Sequence, residues 1–370
     1  MTKTTAGHQG HHLEHLLIGM LNDASHDAQG PTLWIADENL SAAQLQAIHP
    51  RAALLAITNR FEVGEALRAA GQQVLVNDFD FAALPVTSVA RIVYRVSKER
   101  ALVHHCINEG YKLLRPGGTL NLLGHKDDGI KTHGKNGEQL FGNKAQLQKH
   151  GIAYCTTLRK FSQLASATGN PAWLDSKDYA RLRSCQAGGL EFISKPGVFG
   201  WNKIDHGSEL LVREARQVLT GRTTAGPGKG AALGSVLDLG CGYGYLLLMT
   251  ADLPFTRCSG TDNNAAAVLA AKASFEQRQL AIRVTLDDCG EHLQERFDVI
   301  LCNPPFHQGF STSSALAAKF LAQIRKLLAD KGIALLVVNQ FIPIEKVAAE
   351  HFQNITTLCL QDGFKVVQLS

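Results

Sequence analysis

Residues 297–309 read FDVILCNPPFHQG. A β-forming run enters two successive prolines, Pro304 and Pro305, neither of which has an N–H to give to a strand ladder. The strand must stop rigidly there, with the Asn303 amide and the Phe306 ring held at its tip. Earlier in the same half of the chain, Asp238-Leu239-Gly240-Cys241-Gly242-Tyr243-Gly244 follows one apolar run and opens another. Glycines let the main chain turn sharply and let a ligand press against it, with the N–H groups of a helix start nearby. Asp238, at the strand end just ahead of the first glycine, sets this loop apart from the dinucleotide fingerprint G-x-G-x-x-G. Asp262 closes the next strand, where a carboxylate can bind both hydroxyls of a ribose. Asp288 closes the third, where it can meet an adenine amino group. A glycine loop and two carboxylates at three strand ends describe a nucleoside pocket at the carboxyl edge of a sheet. GPGKGA at 226–231 is not a phosphate loop, because no Ser or Thr follows Lys229 and the spacing is wrong.

These residues need a scaffold, and the second half of the chain supplies an α/β pattern. GSVLDLGCGYG reads as strand then glycine loop, YLLLMTADL as the following helix, and RCSGTD as a second strand. NAAAVLAAKASFEQRQL is a second helix; AIRVTLDD, FDVILCNPPF and GIALLVVNQF are three further strands, with the helix SSALAAKFLAQIRKLLA before the last. ITTLCLQDGFKVVQL, with its Asp-Gly pair, predicts a closing antiparallel hairpin. Strands alternating with helices of this length predict a doubly wound, largely parallel sheet.

The first half repeats the scheme. PTLWIADENL, RAALLAITN, QQVLVNDFD and RIVYRVS read as strands, and ERALVHHCINEGYKLLRPGGTLNLLGH repeats the helix-turn-strand layout of SSALAAKFLAQIRKLLADKGIALLVVNQF. A duplicated domain is predicted. Its chemistry is missing: LWIADENLS stands where the second half has VLDLGCGYG, and VYRVSKE where it has LCNPPF. The prediction is two tandem Rossmann-like domains, 1–190 degenerate and 191–370 complete, with the Gly- and Thr-rich stretch 220–234 as a loop or tether.

Composition agrees with a globular protein of two domains: 370 residues, 45% hydrophobic and 19% charged. No apolar run reaches the length of a membrane span, and MTKTTAGHQGHHLEHLL lacks the pattern of a signal peptide, so a cytoplasmic protein without membrane partners is expected. The eight cysteines contain no C-x-x-C pair, which favours reduced, buried thiols over a disulfide frame or zinc site. Cys241 has no His near it in sequence and reads as a packing residue rather than a nucleophile. His8, His11, His12 and His15 lack a Cys or carboxylate scaffold and read as surface residues, not a metal site. Net charge is +4, and residues 101–190 carry 12 Lys and Arg against 6 Asp and Glu. Such a stretch can track phosphates or be a solvated surface. WLDSKDYARLRSCQ, 173–186, mixes aromatic and basic residues that can touch RNA or lie on an exposed helix.

DLGCGYG, the acidic end of the second strand and NPPF at the end of the fourth resemble a class I S-adenosylmethionine-dependent methyltransferase. With KPGVFGWNKIDHGSELLV (195–212) ahead of them and HQG behind, the pattern is similar to the ribosomal RNA guanine-N2 methyltransferases of the small and large subunits. The resemblance implies S-adenosylmethionine as cofactor, ribosomal RNA or a ribosomal subunit as partner, and a catalytic second domain behind a degenerate copy that binds or presents RNA. It places Asp205 and Gly207 near the cofactor and leans toward the small subunit; the sequence leaves the oligomeric state open, with a monomer expected.

The tip then has a chemical role. The lone pair of an exocyclic base amine is delocalised into the ring, so the nitrogen is a poor nucleophile. The Asn303 side-chain carbonyl and the Pro304 main-chain carbonyl can accept its hydrogens and favour pyramidalisation, while Phe306 stacks on a flipped-out base. The prolines keep the acceptors stiff, which lowers reorganisation during transfer. His307 reads as a loop-orienting residue. Similar tips serve adenine N6, guanine N2 and protein glutamine, so the tip alone leaves the amine open. A noncatalytic RNA-binding assembly protein is the alternative of a different class.

Overall fold

A computed structural model of the chain describes residues 6–161, 171–224, 232–305 and 310–370. It divides into two compact units, Met1–Arg181 and Leu182–Ser370. In the first, seven strands form one sheet: β1 (Thr32–Ala36), β2 (Leu54–Thr58), β3 (Gln73–Val76), β4 (Val89–Arg95), β5 (Leu114–His125), β6 (Gln146–His150) and β7 (Ala153–Arg159). They lie in the order β3-β2-β1-β4-β5-β7-β6. β7 runs antiparallel to both β5 and β6, and the other pairs are parallel. Helices α1 (Ala6–Asn22), α2 (Ala42–Gln46), α3 (Phe61–Ala69), α4 (Arg100–Leu113) and α5 (Ile130–Phe141) belong to this unit. Leu13, Leu17 and Leu21, four apart, form one apolar stripe on α1 and pack with Trp34, Val93 and Leu123.

The second unit starts with the hairpin β8 (Arg183–Ala187) and β9 (Leu190–Ser194), followed by α6 (His206–Thr224). Then come β10 (Gly234–Leu239), α7 (Tyr245–Leu248), β11 (Phe255–Asp262), α8 (Ala265–Gln277), β12 (Ile282–Leu286) and β13 (Phe297–Cys302). α9 (Phe310–Leu327), β14 (Leu328–Asn339), α10 (Ile344–Ala348), β15 (Ile355–Gln361) and β16 (Phe364–Leu369) complete it. The sheet order is β12-β11-β10-β13-β14-β16-β15, the same permutation as in the first unit. β16 is antiparallel to β14 and β15, so the predicted closing hairpin and the duplicated architecture are both present. One core cluster is built on Val236, Leu301 and Leu335 and another on Leu237, Ile300 and Leu336. Alternate residues of the same strands thus fill the two faces.

Several expectations shift. The units divide at Arg181/Leu182 rather than at 190. The reason is the β8–β9 hairpin, whose Ile193 N–H donates to Ser274 Oγ on α8 at 2.9 Å while that hydroxyl donates back to Ile193 O at 3.0 Å. Residues 220–224 are the last turn of α6, not tether, and 225–231 lie outside the described residues. YLLLMTADL forms only the short α7, because the Thr250 hydroxyl bonds back to Leu246 O at 2.8 Å and the chain turns. Residues 173–186 are not an exposed helix: Tyr179 is buried and its hydroxyl donates to Asp78 Oδ1 at 2.9 Å. His12 and His15 sit exposed on α1, and among the described residues no group of side chains could hold a metal ion.

The first unit carries a pH-sensitive defect. His133 on α5 is buried, its Nδ1 has no hydrogen-bond partner among the described residues, and its ring packs edge-on against His104 at 5.7 Å. Burial, with His104 and Arg100 adding repulsion, pulls its pKa down to about 4. The unfolded chain takes up a proton near 6.5 while the folded one resists to about 4. Stability is therefore complete above that range and is lost as pH falls through it. The expected loss is about 2–3 kcal/mol, and His133→Gln removes most of the difference in melts compared at pH 7 and 4.5.

Candidate active site

In the second unit the chain steps from β10 to β11 to β12 in one direction and then crosses to β13 on the other side of β10. That reversal opens a crevice at the carboxyl ends of β10 and β13, where ligands bind in open α/β sheets. Asp238 pairs in register with Leu301, so the glycine loop and the Asn-Pro-Pro tip leave the sheet side by side. The Cys302 thiol donates to Leu239 O at 3.1 Å across the same gap.

The glycine loop is pinned from β11. The N–H groups of Gly240 and Cys241 both donate to Thr261 O, at 2.8 and 2.9 Å. Gly242 N–H donates to Asp262 Oδ2 at 2.8 Å, and Asn264 N–H to Asp262 Oδ1 at 2.9 Å. Gly242 has φ +55°, and a Cβ built there meets nothing within 4 Å, so the main chain is open to a ligand. Gly244 has φ +93° and its Cβ would lie 2.5 Å from the Phe275 ring, so no larger residue fits. Asp262 thus anchors the loop through both of its carboxylate oxygens.

Asp238 is fully buried, and neither of its carboxylate oxygens has a hydrogen-bond partner among the described residues. Burial, with the nearby Asp262 charge adding to it, pushes its pKa well above the usual carboxylate range. A buried carboxyl without partners is costly and calls for a donor or a cation. S-adenosylmethionine brings an ammonium and a sulfonium, so the residues present fit that group. Cys241 and Cys302 are buried, and burial raises both thiols well above their ordinary range. Neither is a nucleophile at neutral pH.

Asp288 stands two residues beyond the end of β12 rather than closing it. It holds an ion pair with Lys319 of α9. Burial opposes the Lys319 charge, but the Asp288 hydrogen bond and charge prevail and raise its pKa. The neighbouring Asp287 is buried and accepts from the Asp288 and His292 N–H groups at 2.8 and 3.0 Å and contacts His292 Nδ1 at 2.8 Å. The sequence reading did not single out Lys319 as a partner of Asp288; its one signal is a lone cation inside the apolar run SSALAAKFLAQ.

At the tip, Asn303 Nδ2 donates to Asp205 Oδ2 at 2.9 Å and to Ser208 Oγ at 2.7 Å. Asp205 also caps α6, accepting from Ser208 N–H at 2.9 Å and from its hydroxyl at 3.2 Å. Asp205 is therefore in contact with Asn303 at the tip. Gly207 sits where a Cβ would meet Asp205 Oδ2 at 3.1 Å and the Phe364 ring at 3.1 Å. Both Asn303 amide hydrogens are engaged, and among the described residues no donor reaches its carbonyl oxygen. Pro304 is buried and Pro305 exposed, while Phe306 and His307 lie outside the described residues.

The corresponding edge of the first unit is closed. Arg95, at the end of β4, reaches Glu14 Oε1 at 3.0 Å and Asp37 Oδ2 at 3.5 Å. Asp37 is buried and also accepts from Asn39 at 2.6 Å. An ion-paired plug stands where the second unit has an open glycine loop and the Asn303 amide.

Residues 189–368 match the family model described as the methyltransferase small domain. The match lies wholly within the second unit. A "Ribosomal RNA small subunit methyltransferase C" from Actinobacillus succinogenes is 33% identical over 178 residues, 48% of this chain and 50% of the relative. One of the same name from Alteromonas mediterranea is 26% identical over 68% of this chain and 65% of its own length. A third, from Pseudoalteromonas translucida, is 27% identical over 88% of this chain and 89% of its length. The chain thus spans about half to two-thirds of the first two relatives and most of the third. Among solved structures, a T. thermophilus 16S rRNA N2 G1207 methyltransferase, in complex with AdoMet and guanosine, superposes with a TM-score of 0.74 at 25% identity. The likeness covers 96% of this chain and 91% of that one. Among the described residues no helix is long and apolar enough to cross a membrane.

Proposed function

We propose that the protein is a cytoplasmic enzyme that methylates the exocyclic N2 amine of a guanine in small-subunit ribosomal RNA, with S-adenosylmethionine as donor. The observation that carries this reading is the meeting of Asp238, without a hydrogen-bond partner among the described residues, and an open glycine loop with the Asn303 carbonyl at one strand edge. When bound, the cofactor supplies a methyl group already activated on a sulfonium.

Asp238 and the main chain of Gly240, Gly242 and Gly244 hold the amino-acid end of the donor, Asp262 its ribose, and Asp288 with Lys319 its adenine side. Asn303 and Pro304 accept hydrogens of the target amine and localise its lone pair for in-line attack. Pro305 stiffens the turn, and Phe306 stacks on the base. Gly207 keeps the α6 start close to Asp205, which holds the Asn303 amide in place. The amine proton, acidified once nitrogen is alkylated, leaves to water.

In this reading the first unit binds or presents RNA through its basic stretch. Lys160 is not available for that role, because its ammonium is spent on Tyr111 O and Leu114 O at 2.7 and 2.8 Å. Incubation with tritiated cofactor and small subunits, large subunits, DNA and release factor tests the proposal. Label is expected in small-subunit RNA, recovered as N2-methylguanosine. Label on DNA or protein and not on RNA would overturn it, and label on large-subunit RNA would move the substrate.

A further inference from the structure

The tip leaves two acceptor oxygens on side chains that touch. Among the described residues, Asp205 Oδ2 takes all three donors that reach this carboxylate: Ser208 N–H, Ser208 hydroxyl and Asn303 Nδ2. Asp205 Oδ1 takes none among the described residues. Asn303 spends both amide hydrogens on Asp205 and Ser208, and its carbonyl oxygen likewise takes no donor among the described residues. The carboxylate fixes that amide orientation, since the reversed amide would set oxygen against oxygen. Ser208 fits the same arrangement, giving its hydroxyl hydrogen to Asp205 and accepting from Asn303. Both Asp205 and Asn303 are half-buried.

A pair of acceptors, one of them charged, is a template for a pair of donors. Among bases with an exocyclic amine, guanine alone places a ring N–H, at N1, beside that amine. In adenine and cytosine the ring nitrogen beside the amine is an acceptor, and in a glutamine amide the neighbour is a carbonyl oxygen. Each of these would set a lone pair against the Asp205 carboxylate. We propose that Asp205 is the specificity-determining residue of this site. Its Oδ1 accepts the guanine N1–H while Asn303 accepts from the N2 amine. This rests on the guanine-N2 reading above and supplies the discrimination that the Asn-Pro-Pro tip lacks by itself.

Asp205→Asn is an informative variant because its outcome is constrained by the same hydrogen bonds. The single oxygen of the new amide must face the donors of Ser208 and Asn303, which puts its NH2 where Oδ1 stood. Asparagine is as good a helix cap as aspartate, so α6 keeps its start. The acceptor template thereby becomes acceptor plus donor.

The test compares the full-length protein and this variant on a synthetic RNA spanning the methylated guanine, or a subunit reconstituted with it. The RNA carries guanine or 2-aminopurine at the target; 2-aminopurine keeps the C2 amine but has an acceptor at N1. The parent is expected to lose about 10- to 100-fold in kcat/KM on 2-aminopurine, the cost of one charge-assisted hydrogen bond replaced by a repulsion. The variant should lose activity on guanine and bring the two substrates within a few-fold of each other. Its affinity for S-adenosylmethionine should stay within about twofold, a readout that separates base reading from a folding defect. Equal transfer to both bases by the parent, or an unchanged ratio in the variant, would overturn this role while leaving guanine methylation standing. No transfer to the guanine RNA by the parent would overturn both.

Discussion

Asn303→Ala is expected to lower kcat by about 100- to 1,000-fold, the size of effect seen when one preorganised polar group is removed from a reacting centre. The side chain removed is the one whose carbonyl is aimed by Asp205 and Ser208. It makes no hydrogen bond to the glycine loop, so the cofactor dissociation constant should change by no more than about twofold. Single-turnover methylation and calorimetry with the cofactor separate the two quantities. Loss of cofactor affinity with little change in the chemical step would mean that the tip serves the donor and not the acceptor.

The second large effect concerns Asp238. Asp238→Asn preserves shape and removes the buried carboxyl that has no partner among the described residues. Cofactor affinity is expected to fall about 10- to 100-fold, because an amide replaces the group that answers a cation. The cofactor-free variant should also be more stable than its parent at neutral pH. Burial and Asp262 raise the folded pKa of Asp238, whereas the unfolded carboxyl ionises near its ordinary value. As pH rises above that ordinary value, the unfolded state loses its proton first and the parent loses stability. The variant escapes this, and the difference should vanish in acid, where the carboxyl is protonated in both states. Thermal melts at pH 4 and 8 with and without cofactor check both signs. Unchanged affinity would remove Asp238 from the donor site.

Much of this was legible because it is local. The glycine loop declares itself through positions that need positive φ, and Gly240, Gly242 and Gly244 all adopt it. The duplicated topology follows from alternating strands and helices, each short enough to be read by period. The hairpin β8–β9 was not legible as part of the second unit, since its attachment depends on Ser274 far along the chain. The same limit hid the tip's support. Asp205 and the following Ser208 carry the signature of a helix cap, and that signal is local; the contact with Asn303 joins residues 98 apart. Lys319 and Asp288, 31 residues apart, likewise meet only because α9 returns over the sheet edge. The plug of the first unit follows this pattern too. The missing glycines were visible, but Arg95 reaching Glu14 across 81 residues was not.

The central claim is that the donor's methyl carbon and the Asn303 carbonyl face the same point between β10 and β13. A crystal of the full-length protein with S-adenosylmethionine and guanosine tests it most directly. The account predicts the methyl carbon about 3–3.5 Å from the guanine N2, in line with the sulfonium bond, with that nitrogen hydrogen-bonded to Asn303 Oδ1. A methyl group turned away from residue 303, or a donor seated elsewhere on the sheet edge, would contradict it.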